Sequence, residues 1–188
     1  MQFFTKSELR EIYKQKRKAM SDEDIAFLSQ KIIENYILQF SIYENQNVSV
    51  FLPIEKQNEI NTNLLVKYFW EKRINVYVPK VIGDKMISVA YTPNTVLVKS
   101  KWGILEPQED IDSKVEFSQV ITPLLYADPL GNRIGYGKGF YDKFFVSLSH
   151  QPIKVGFNFF PAKEGILDPD PLDIQLDYLV TPEGILSF

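Results

Sequence analysis

The chain of 188 residues contains no cysteine and only one histidine, and these shortages exclude several kinds of chemistry. Without cysteine there is no disulfide, no thiolate nucleophile and no thiolate metal site. A Ser-His-Asp triad or a multi-histidine metal site would have to be built around His150, which lies where a helix is predicted to end in a turn. We therefore predict that His150 is a surface residue. What remains for catalysis is positioning, cations, carboxylates and hard metal ions.

Long apolar runs and a strong excess of one charge are also missing. No apolar run is long enough to span a bilayer, and the first residues lack the layout of a signal peptide. The net charge of −3 argues against a dedicated nucleic-acid-binding protein. The hydrophobic share of 45% is that of an ordinary globular protein. We expect a single cytoplasmic domain over residues 1–188, monomeric and without a membrane or nucleic-acid partner.

Hydrophobic periodicity predicts helices that alternate with strands. Two capping boxes, Thr5–Glu8 and Ser21–Asp24, indicate where the first two helices begin. Two further helices are predicted over 62–72 and 142–149. The predicted strands are 48–52, 75–78, 86–91, 120–125, 155–159 and 178–181, with a long irregular stretch over 92–117. Several of these strands are apolar throughout, which is typical of an α/β fold whose mostly parallel central sheet is flanked by helices on both faces.

The segment 128–142 carries most of the functional signal. Gly135, Gly137 and Gly139 occupy every second position, with the cations Arg133 and Lys138 among them. Glycine lets the backbone adopt positive φ and approach a ligand closely. Exposed backbone N–H groups beside a helix start bind anions, and the two cations add positive charge. The segment follows a predicted strand, where ligands of open α/β sheets bind, so we predict a phosphate-binding loop rather than a solvated glycine-rich turn.

This loop differs from the widespread nucleotide-binding motifs. The Walker A pattern Gly-x-x-x-x-Gly-Lys-[Ser/Thr] is absent, and the glycine spacing is not that of the dinucleotide fingerprint. The signature set of protein kinases is also missing. The residue pattern by itself therefore predicts a phosphate-binding loop on an α/β domain, and it does not identify the reaction.

The chain resembles the 5-formyltetrahydrofolate cyclo-ligase family, also called 5,10-methenyltetrahydrofolate synthetases. The resemblance is strongest at 131–142, which reads Gly-Asn-Arg-Ile-Gly-Tyr-Gly-Lys-Gly-Phe-Tyr-Asp. Further matching segments, in the same order as in the family, are 6–10, 51–53, 59–60, 78–80, 102–107 and 171–181. The resemblance implies a NagB/RpiA/CoA transferase-like fold. It also implies that 5-formyltetrahydrofolate and ATP are converted, with Mg²⁺, to 5,10-methenyltetrahydrofolate, ADP and phosphate.

The resemblance also implies roles for individual residues. The catalytic residues would be Lys138, Arg133 and Tyr141. The ATP-binding residues would be Lys6, Arg10, Arg133, Ile134, Gly135, Tyr136, Gly137, Lys138, Gly139, Phe140 and Tyr141. The folate-binding residues would be Leu52, Glu59, Trp102, Tyr136, Gly137, Lys138, Gly139 and Phe140. Asp142 and Asp173 would supply hard oxygen ligands to Mg²⁺.

Several of these residues have a purely structural alternative. Asp142 could be a helix cap, Asp173 a loop cap, and Trp102 part of the core. Lys6 and Arg10 lie on one helix face that could simply be solvated, and this is the interpretation we adopt for the basic run 14–18. Two rival functions also follow: a different phosphate-ligand enzyme on the same fold, and a non-catalytic homologue that binds a nucleotide or RNA.

This chain differs from some members of the family at two positions of the predicted site. Tyr136 occupies a position that is basic in some relatives, so contacts with phosphate or with the folate tail could differ. Leu172 stands where some relatives have a histidine, and any role of that side chain must be absent or replaced here. Glu59 would read the hydrogen-bond donors of the pterin ring, because a carboxylate accepts and does not donate.

Overall fold

The computed structural model describes residues 1–100 and 104–188. Within them the helices are α1 Lys6–Lys18, α2 Asp22–Gln39, α3 Asn63–Glu71 and α4 Phe140–Ser147, with a short 3₁₀ turn at Glu55–Gln57. The strands of the first half are β1 Phe3–Phe4, β2 Asn47–Val50, β3 Asn75–Ile82, β4 Lys85–Ala90, β5 Leu97–Lys99 and β6 Leu105–Pro107. Those of the second half are β7 Gln119–Pro123, β8 Tyr126–Ala127, β9 Arg133–Ile134, β10 Ile153–Phe157, β11 Gly165–Ile166, β12 Tyr178–Thr181 and β13 Gly184–Ser187.

The helix starts that the sequence predicts are confirmed. The side chains of Thr5 and Ser21 each accept a hydrogen bond from the backbone N–H three residues later. The acidic side chain at that later position accepts a hydrogen bond from the backbone N–H of the cap, so both capping boxes are complete. The predicted helix 62–72 is α3. The helix predicted over 142–149 begins earlier, at Phe140, because Gly139 adopts φ 64° and serves as its N-cap.

The central sheet has seven strands in the order β13-β12-β10-β7-β2-β3-β4. The pairs β12–β10, β10–β7, β7–β2 and β2–β3 are parallel, and the two edge pairs are antiparallel. A mostly parallel sheet is therefore confirmed. The edge strand β13 was not predicted.

The two faces of the sheet carry different helices. Ile121 packs with Phe69 of α3 and with the apolar side of α2, whereas its neighbour Val120 packs with Phe144 and Phe145 of α4. Consecutive strand residues point to opposite faces, so β7 contributes to both cores. Helices cover the sheet from both sides, as the apolar strands indicated.

Two predictions about the region around β3 are wrong. Pro79 does not end the strand, which continues to Ile82 against β4. Parallel pairing with β2 stops at Tyr77, so at Pro79 the strand β3 pairs only with β4. A proline has no N–H to donate, and it is tolerated here because the side of β3 away from β4 has no partner strand at this point. The stretch 92–117 was predicted to be irregular, but it contains the antiparallel hairpin β5–β6. In the described ranges, no helix combines the length and the apolarity needed to cross a bilayer.

Candidate active site

The glycine-rich loop leaves the sheet through a small hairpin that a buried carboxylate holds in shape. After β7 the chain forms β8, turns, and returns as β9. In the turn, the Asp128 carboxylate accepts hydrogen bonds of 2.9 Å from the backbone N–H groups of Leu130 and Asn132 and from the Asn132 side chain. Gly131 supplies the positive φ of 83° that the turn needs. The hairpin thus fixes the position from which Arg133 projects.

Helix α1 packs against the loop and brings a cation to it. The Arg10 Nε donates a hydrogen bond of 3.0 Å to the Gly135 carbonyl. Gly137 and Gly139 adopt φ of 86° and 64°, whereas Gly135 does not use the left-handed region. A Cβ on Gly137 would lie 3.5 Å from the Arg10 Cζ. Arg10, to which the resemblance assigns ATP binding, therefore lies at the glycine-rich loop.

Arg133 and Asp142 form an ion pair at the start of α4. The Arg133 Nη2 lies 2.6 Å from Asp142 Oδ1, and the Arg133 side chain is 7% exposed. The same carboxylate oxygen accepts a 3.0 Å bond from the Ile174 N–H. Burial lowers the pKa of Arg133, and the charge of Asp142 opposes that change. Asp142 does not cap the helix, because Gly139 occupies the N-cap position and Asp142 lies in the first turn.

Two buried donors near this ion pair have no hydrogen-bond partner among the described residues. They are the Arg133 Nη1 and the Tyr141 hydroxyl. Burial raises the pKa of Tyr141 above its ordinary value, as does the nearby charge of Glu59, so this hydroxyl is a neutral donor. Buried donors are normally paired, and two unpaired ones in one place point to an acceptor-rich ligand.

Asp173 occupies the neighbouring loop and pairs with Lys6 of α1. Its Oδ2 also accepts a 2.7 Å bond from the Asp170 N–H, so the loop-capping role is observed. The charge of Asp173 acts on Arg133 as that of Asp142 does. Residues 1–100 and 104–188 contain no group of three or more potential metal ligands. Two carboxylates are nevertheless a fitting donor set for Mg²⁺, which often takes one or two carboxylates and completes its shell with phosphates and waters.

The other predicted loop residues differ in exposure. Lys138 is exposed and forms no hydrogen bond or ion pair within the part of the chain that the structure describes. Ile134 is 1% exposed and packs in a core cluster, so its side chain is not available to a ligand. Phe140 is half-buried. Of the loop side chains, Lys138 is therefore the free cation that can follow a ligand.

Glu59 lies at the other end of the site in a nearly closed environment. Glu59 is 5% exposed, and its Oε2 accepts a 2.8 Å hydrogen bond from the Ile54 N–H. Its Oε1 accepts a 2.7 Å bond from the Tyr136 hydroxyl. Burial raises the pKa of Glu59, and the two hydrogen bonds and the charge of Arg17 oppose that change.

Arg17 is a residue that sequence reasoning missed. We predicted a solvated basic face over 14–18, and for Arg17 this is wrong, since it is 2% exposed. Its guanidinium donates to the Leu124 carbonyl and, over 3.2 Å, to the Tyr136 hydroxyl. A signal was present in the sequence: Leu9 and Tyr13 are buried on α1, and Arg17 continues their four-residue spacing.

The remaining predicted residues have varied outcomes. Leu52 is half-buried and lies just beyond the carboxyl end of β2. Trp102 lies outside the described residues. His150 is exposed, as predicted.

Comparison with known proteins identifies the family. The sequence model of the 5-formyltetrahydrofolate cyclo-ligase family matches residues 3–182, a range that contains every candidate residue from Lys6 to Asp173. The chain belongs to this family. The 5-formyltetrahydrofolate cyclo-ligase of Escherichia coli (strain K12) is 27% identical over 179 residues, which cover 92% of this chain and 97% of that protein. The enzyme of the same name from Mycoplasma pneumoniae is 28% identical over 183 residues, covering 95% and 99%.

A solved structure agrees with the sequence comparison. The NMR structure of the 5,10-methenyltetrahydrofolate synthetase of Aquifex aeolicus superposes with a TM-score of 0.80 at 28% identity. The superposition covers 97% of this chain and 92% of that one. The two proteins therefore share the same overall fold.

Proposed function

We propose that this member of the family cyclises 5-formyltetrahydrofolate to 5,10-methenyltetrahydrofolate, with conversion of ATP to ADP and phosphate. Family membership over residues 3–182 and the names of its relatives support the reaction. The observation that carries the proposal within this chain is the pair of unpartnered buried donors, Arg133 Nη1 and the Tyr141 hydroxyl, beside the glycine-rich loop. A transferring phosphoryl group brings the acceptor oxygens that both donors lack.

The loop would bind the ATP phosphates with backbone and side-chain donors together. Gly137 and Gly139 leave the backbone open to close approach, since no Cβ occupies the ligand side. Arg10 contacts the loop from α1, and Lys6, one turn earlier on the same helix, pairs with Asp173. Lys138, which is exposed and unpaired in the described structure, would close over the γ-phosphate and offset the negative charge that develops during transfer.

Asp142 and Asp173 would hold Mg²⁺ together with the phosphates. The ion supplies positive charge to the phosphates when it is bound. Each carboxylate would then share its negative charge between the ion and the cation with which it is paired, Arg133 for Asp142 and Lys6 for Asp173.

The folate would lie at the end of the site that contains Glu59. Both Glu59 oxygens already accept one hydrogen bond each, and each carboxylate oxygen has a further lone pair for a pterin donor. Leu52, at the end of β2, would provide an apolar wall. Tyr136 would contact ATP through its backbone in the loop, while its hydroxyl, bonded to Glu59, would serve the folate.

The residues would then act by positioning rather than by covalent catalysis. The formyl oxygen of the folate attacks the γ-phosphorus, ADP leaves, and an iminium phosphate forms. The folate N10 adds to the activated carbon and loses its proton, and phosphate leaves with the former formyl oxygen and takes up that proton. Arg133, Lys138 and the neutral Tyr141 hydroxyl would donate to the oxygens of the transferring group throughout. No thiol or histidine takes part, which suits a chain with no cysteine and one exposed histidine.

We further infer a relation of the fold to the NagB/RpiA and CoA transferase proteins, on the basis of the mostly parallel sheet with helices on both faces. That relation makes a different phosphate-ligand enzyme the natural rival function. Such an enzyme would have no use for ATP together with a formylated pterin.

The test is the near-ultraviolet absorbance of the purified protein with 5-formyltetrahydrofolate and Mg²⁺, with and without ATP. We expect the absorbance of the methenyl product to rise only when ATP is present. No rise, alongside an active enzyme of the family as control, would overturn the proposal. A salt-dependent shift of RNA in a gel without ATP turnover would instead favour the non-catalytic RNA-binding homologue.

A further inference from the structure

The residues Arg17, Tyr136 and Glu59 form a connected chain of hydrogen bonds that links α1, the glycine-rich loop and the segment after β2. Arg17 donates to the Tyr136 hydroxyl over 3.2 Å, and that hydroxyl donates to Glu59 over 2.7 Å. All three groups come from distant parts of the sequence. Arg17 itself has no place in the reaction described above, yet it is a buried cation directed at the predicted folate anchor.

The Tyr136 hydroxyl lies between Arg17 and Glu59. The Tyr136 ring packs against the core cluster that contains Leu9 and Tyr13, which places the side chain, although its neighbours Gly135 and Gly137 have no side chains. The Arg17 guanidinium donates to the hydroxyl, so the hydroxyl proton is left to point at Glu59. The guanidinium is itself held by the Leu124 carbonyl and lies 5.9 Å from the centroid of the Phe159 ring.

The arrangement of Arg17 is not the one that stability alone would favour. Its Nε is buried and finds no acceptor in the described residues. A buried guanidinium with an unsatisfied N–H costs stability, and an apolar side chain at this position would continue the stripe of Leu9 and Tyr13 at no such cost. The position of the charge beside Tyr136 and Glu59 supplies a functional reason for this cost.

We propose that Arg17 is a positioning residue of the folate site, which acts through the Tyr136 hydroxyl to hold Glu59 as an ionised, correctly oriented acceptor for the pterin. This inference rests on the proposed function. Among the described residues, the ionisable groups that face Glu59 are Arg17 from α1, Tyr136 from the loop and Tyr141 from α4. Arg17 is the single cation among these three. Removal of Arg17 therefore removes a positive charge that favours the ionised carboxylate, and neither tyrosine can replace it.

The decisive variants are Arg17→Met and Tyr136→Phe, with Lys18→Met as the matched control. Lys18 is the adjacent cation on α1, but it is exposed. We expect Arg17→Met to raise the KM for 5-formyltetrahydrofolate about tenfold or more, as is usual for the loss of a hydrogen bond to a charged group. The KM for ATP should change much less. Tyr136→Phe should give the same split, and the double variant should be no worse than either single one, because both act on Glu59 through one hydroxyl.

A second measurement reports on Glu59 whether or not the reaction proceeds. In protein with ¹³C-labelled glutamate, the Glu59 carboxyl resonance is identified by its loss in Glu59→Gln. We expect its titration midpoint to lie at higher pH in Arg17→Met than in the original protein, because a nearby positive charge favours the ionised form. In Arg17→Lys, which retains the charge, the midpoint should lie close to that of the original protein. If Arg17→Met does not fold, the same titration of Glu59 can be made on Tyr136→Phe, which removes only one hydroxyl.

The failures of the two proposals are distinguishable. Absence of turnover by the unaltered protein would contradict the proposed reaction. Turnover by the unaltered protein, with an unchanged folate KM and an unchanged Glu59 midpoint in Arg17→Met, would overturn only the role of Arg17. An equal rise of both KM values with an unchanged midpoint would likewise overturn it and leave Arg17 as a structural residue.

Discussion

The two ends of the candidate site differ in how far the protein satisfies its own polar groups. At the phosphate end, defined by Arg133, Tyr141 and Asp142, two buried donors have no partner in the described structure. At the Glu59 end, defined by Glu59, Tyr136 and Arg17, both carboxylate oxygens already accept hydrogen bonds, and the Arg17 Nε is the one donor of these three side chains without a partner in the described residues. The phosphate end is therefore a set of donors that needs an acceptor-rich ligand, whereas the Glu59 end is an acceptor that is already oriented.

This difference corresponds to the chemistry of the two substrates. ATP provides many acceptor oxygens and negative charge, so donors can be left unpaired until it binds. A pterin provides a fixed edge of donors, and its recognition depends on the orientation of one carboxylate. Substitutions at each end should therefore affect one substrate more than the other.

The largest expected effect is the loss of turnover in Lys138→Ala. Removal of one group that stabilises developing charge typically lowers the rate by a factor of about 100 or more. Lys138 is exposed, so the thermal midpoint of unfolding should remain unchanged. Lys143→Ala, at an exposed cation five residues later in α4, is the matched control and should retain activity. Full activity of Lys138→Ala in the absorbance assay would remove this lysine from the mechanism.

The second-largest effect is expected for Glu59→Gln, and it should be confined to the use of 5-formyltetrahydrofolate. We expect kcat/KM for 5-formyltetrahydrofolate to fall about tenfold to a hundredfold at neutral pH, because an amide presents a donor where the pterin requires an acceptor. The KM for ATP should be nearly unchanged. Glu55→Gln, at an exposed position four residues earlier, is the control. An equal loss for ATP and folate would show that the two ends do not act separately.

The same carboxyl group predicts a pH dependence with a definite sign. Burial raises the pKa of Glu59, so the ionised form is lost at a higher pH than for an ordinary glutamate. In the original protein, folate affinity should be complete above this pKa and should decline as the pH falls through it. In Glu59→Gln that acid limb should be absent. A limb that persists would have to belong to a different group.

A third substitution, Asp142→Asn, tests the proposed metal ligand at the phosphate end. The amide keeps an oxygen for the Ile174 N–H but loses the charge that pairs with Arg133. We expect the Mg²⁺ concentration for half-maximal turnover to rise about tenfold, since a neutral amide is a weaker ligand for a hard cation. Asp84→Asn, in the exposed β3–β4 turn, controls for the change in net charge. An unchanged Mg²⁺ requirement would contradict the assignment.

The smallest effect should come from Gly137→Ala. An alanine at φ 86° costs about 1 kcal/mol of unfolding free energy, because L-residues disfavour this region. Gly83→Ala is an informative control, since Gly83 has φ 62° with no atom near its missing Cβ. Chemical unfolding should show a similar loss for both variants. Only Gly137→Ala should also weaken ATP binding, because its Cβ would face Arg10. Equal ATP binding in both would mean that the loop backbone is not close to the nucleotide.

Local signals account for most of the fold that could be predicted. The capping boxes at Thr5 and Ser21 depend on side chains three residues apart, and both are present in the structure. The apolar strands indicated a parallel sheet because burial on both faces leaves no polar alternation. The course of β3 through Pro79 could not be predicted, since it depends on where its neighbour β2 ends. Strand β13 was missed for a similar reason, because it is an antiparallel edge defined by its pairing with β12.

Residue types at short spacing were enough to locate the glycine-rich loop and the two capped helices and to exclude thiol chemistry. The pairing of Arg133 with Asp142, the pairing of Lys6 with Asp173 and the burial of Arg17 beside Tyr136 and Glu59 became visible only in the folded structure. The physical reason is that burial and ion pairing depend on distances between segments far apart in the chain. The sequence shows that residue 17 is a cation, but Arg17 is buried and gains its hydrogen-bond partners only when α1 packs against the loop.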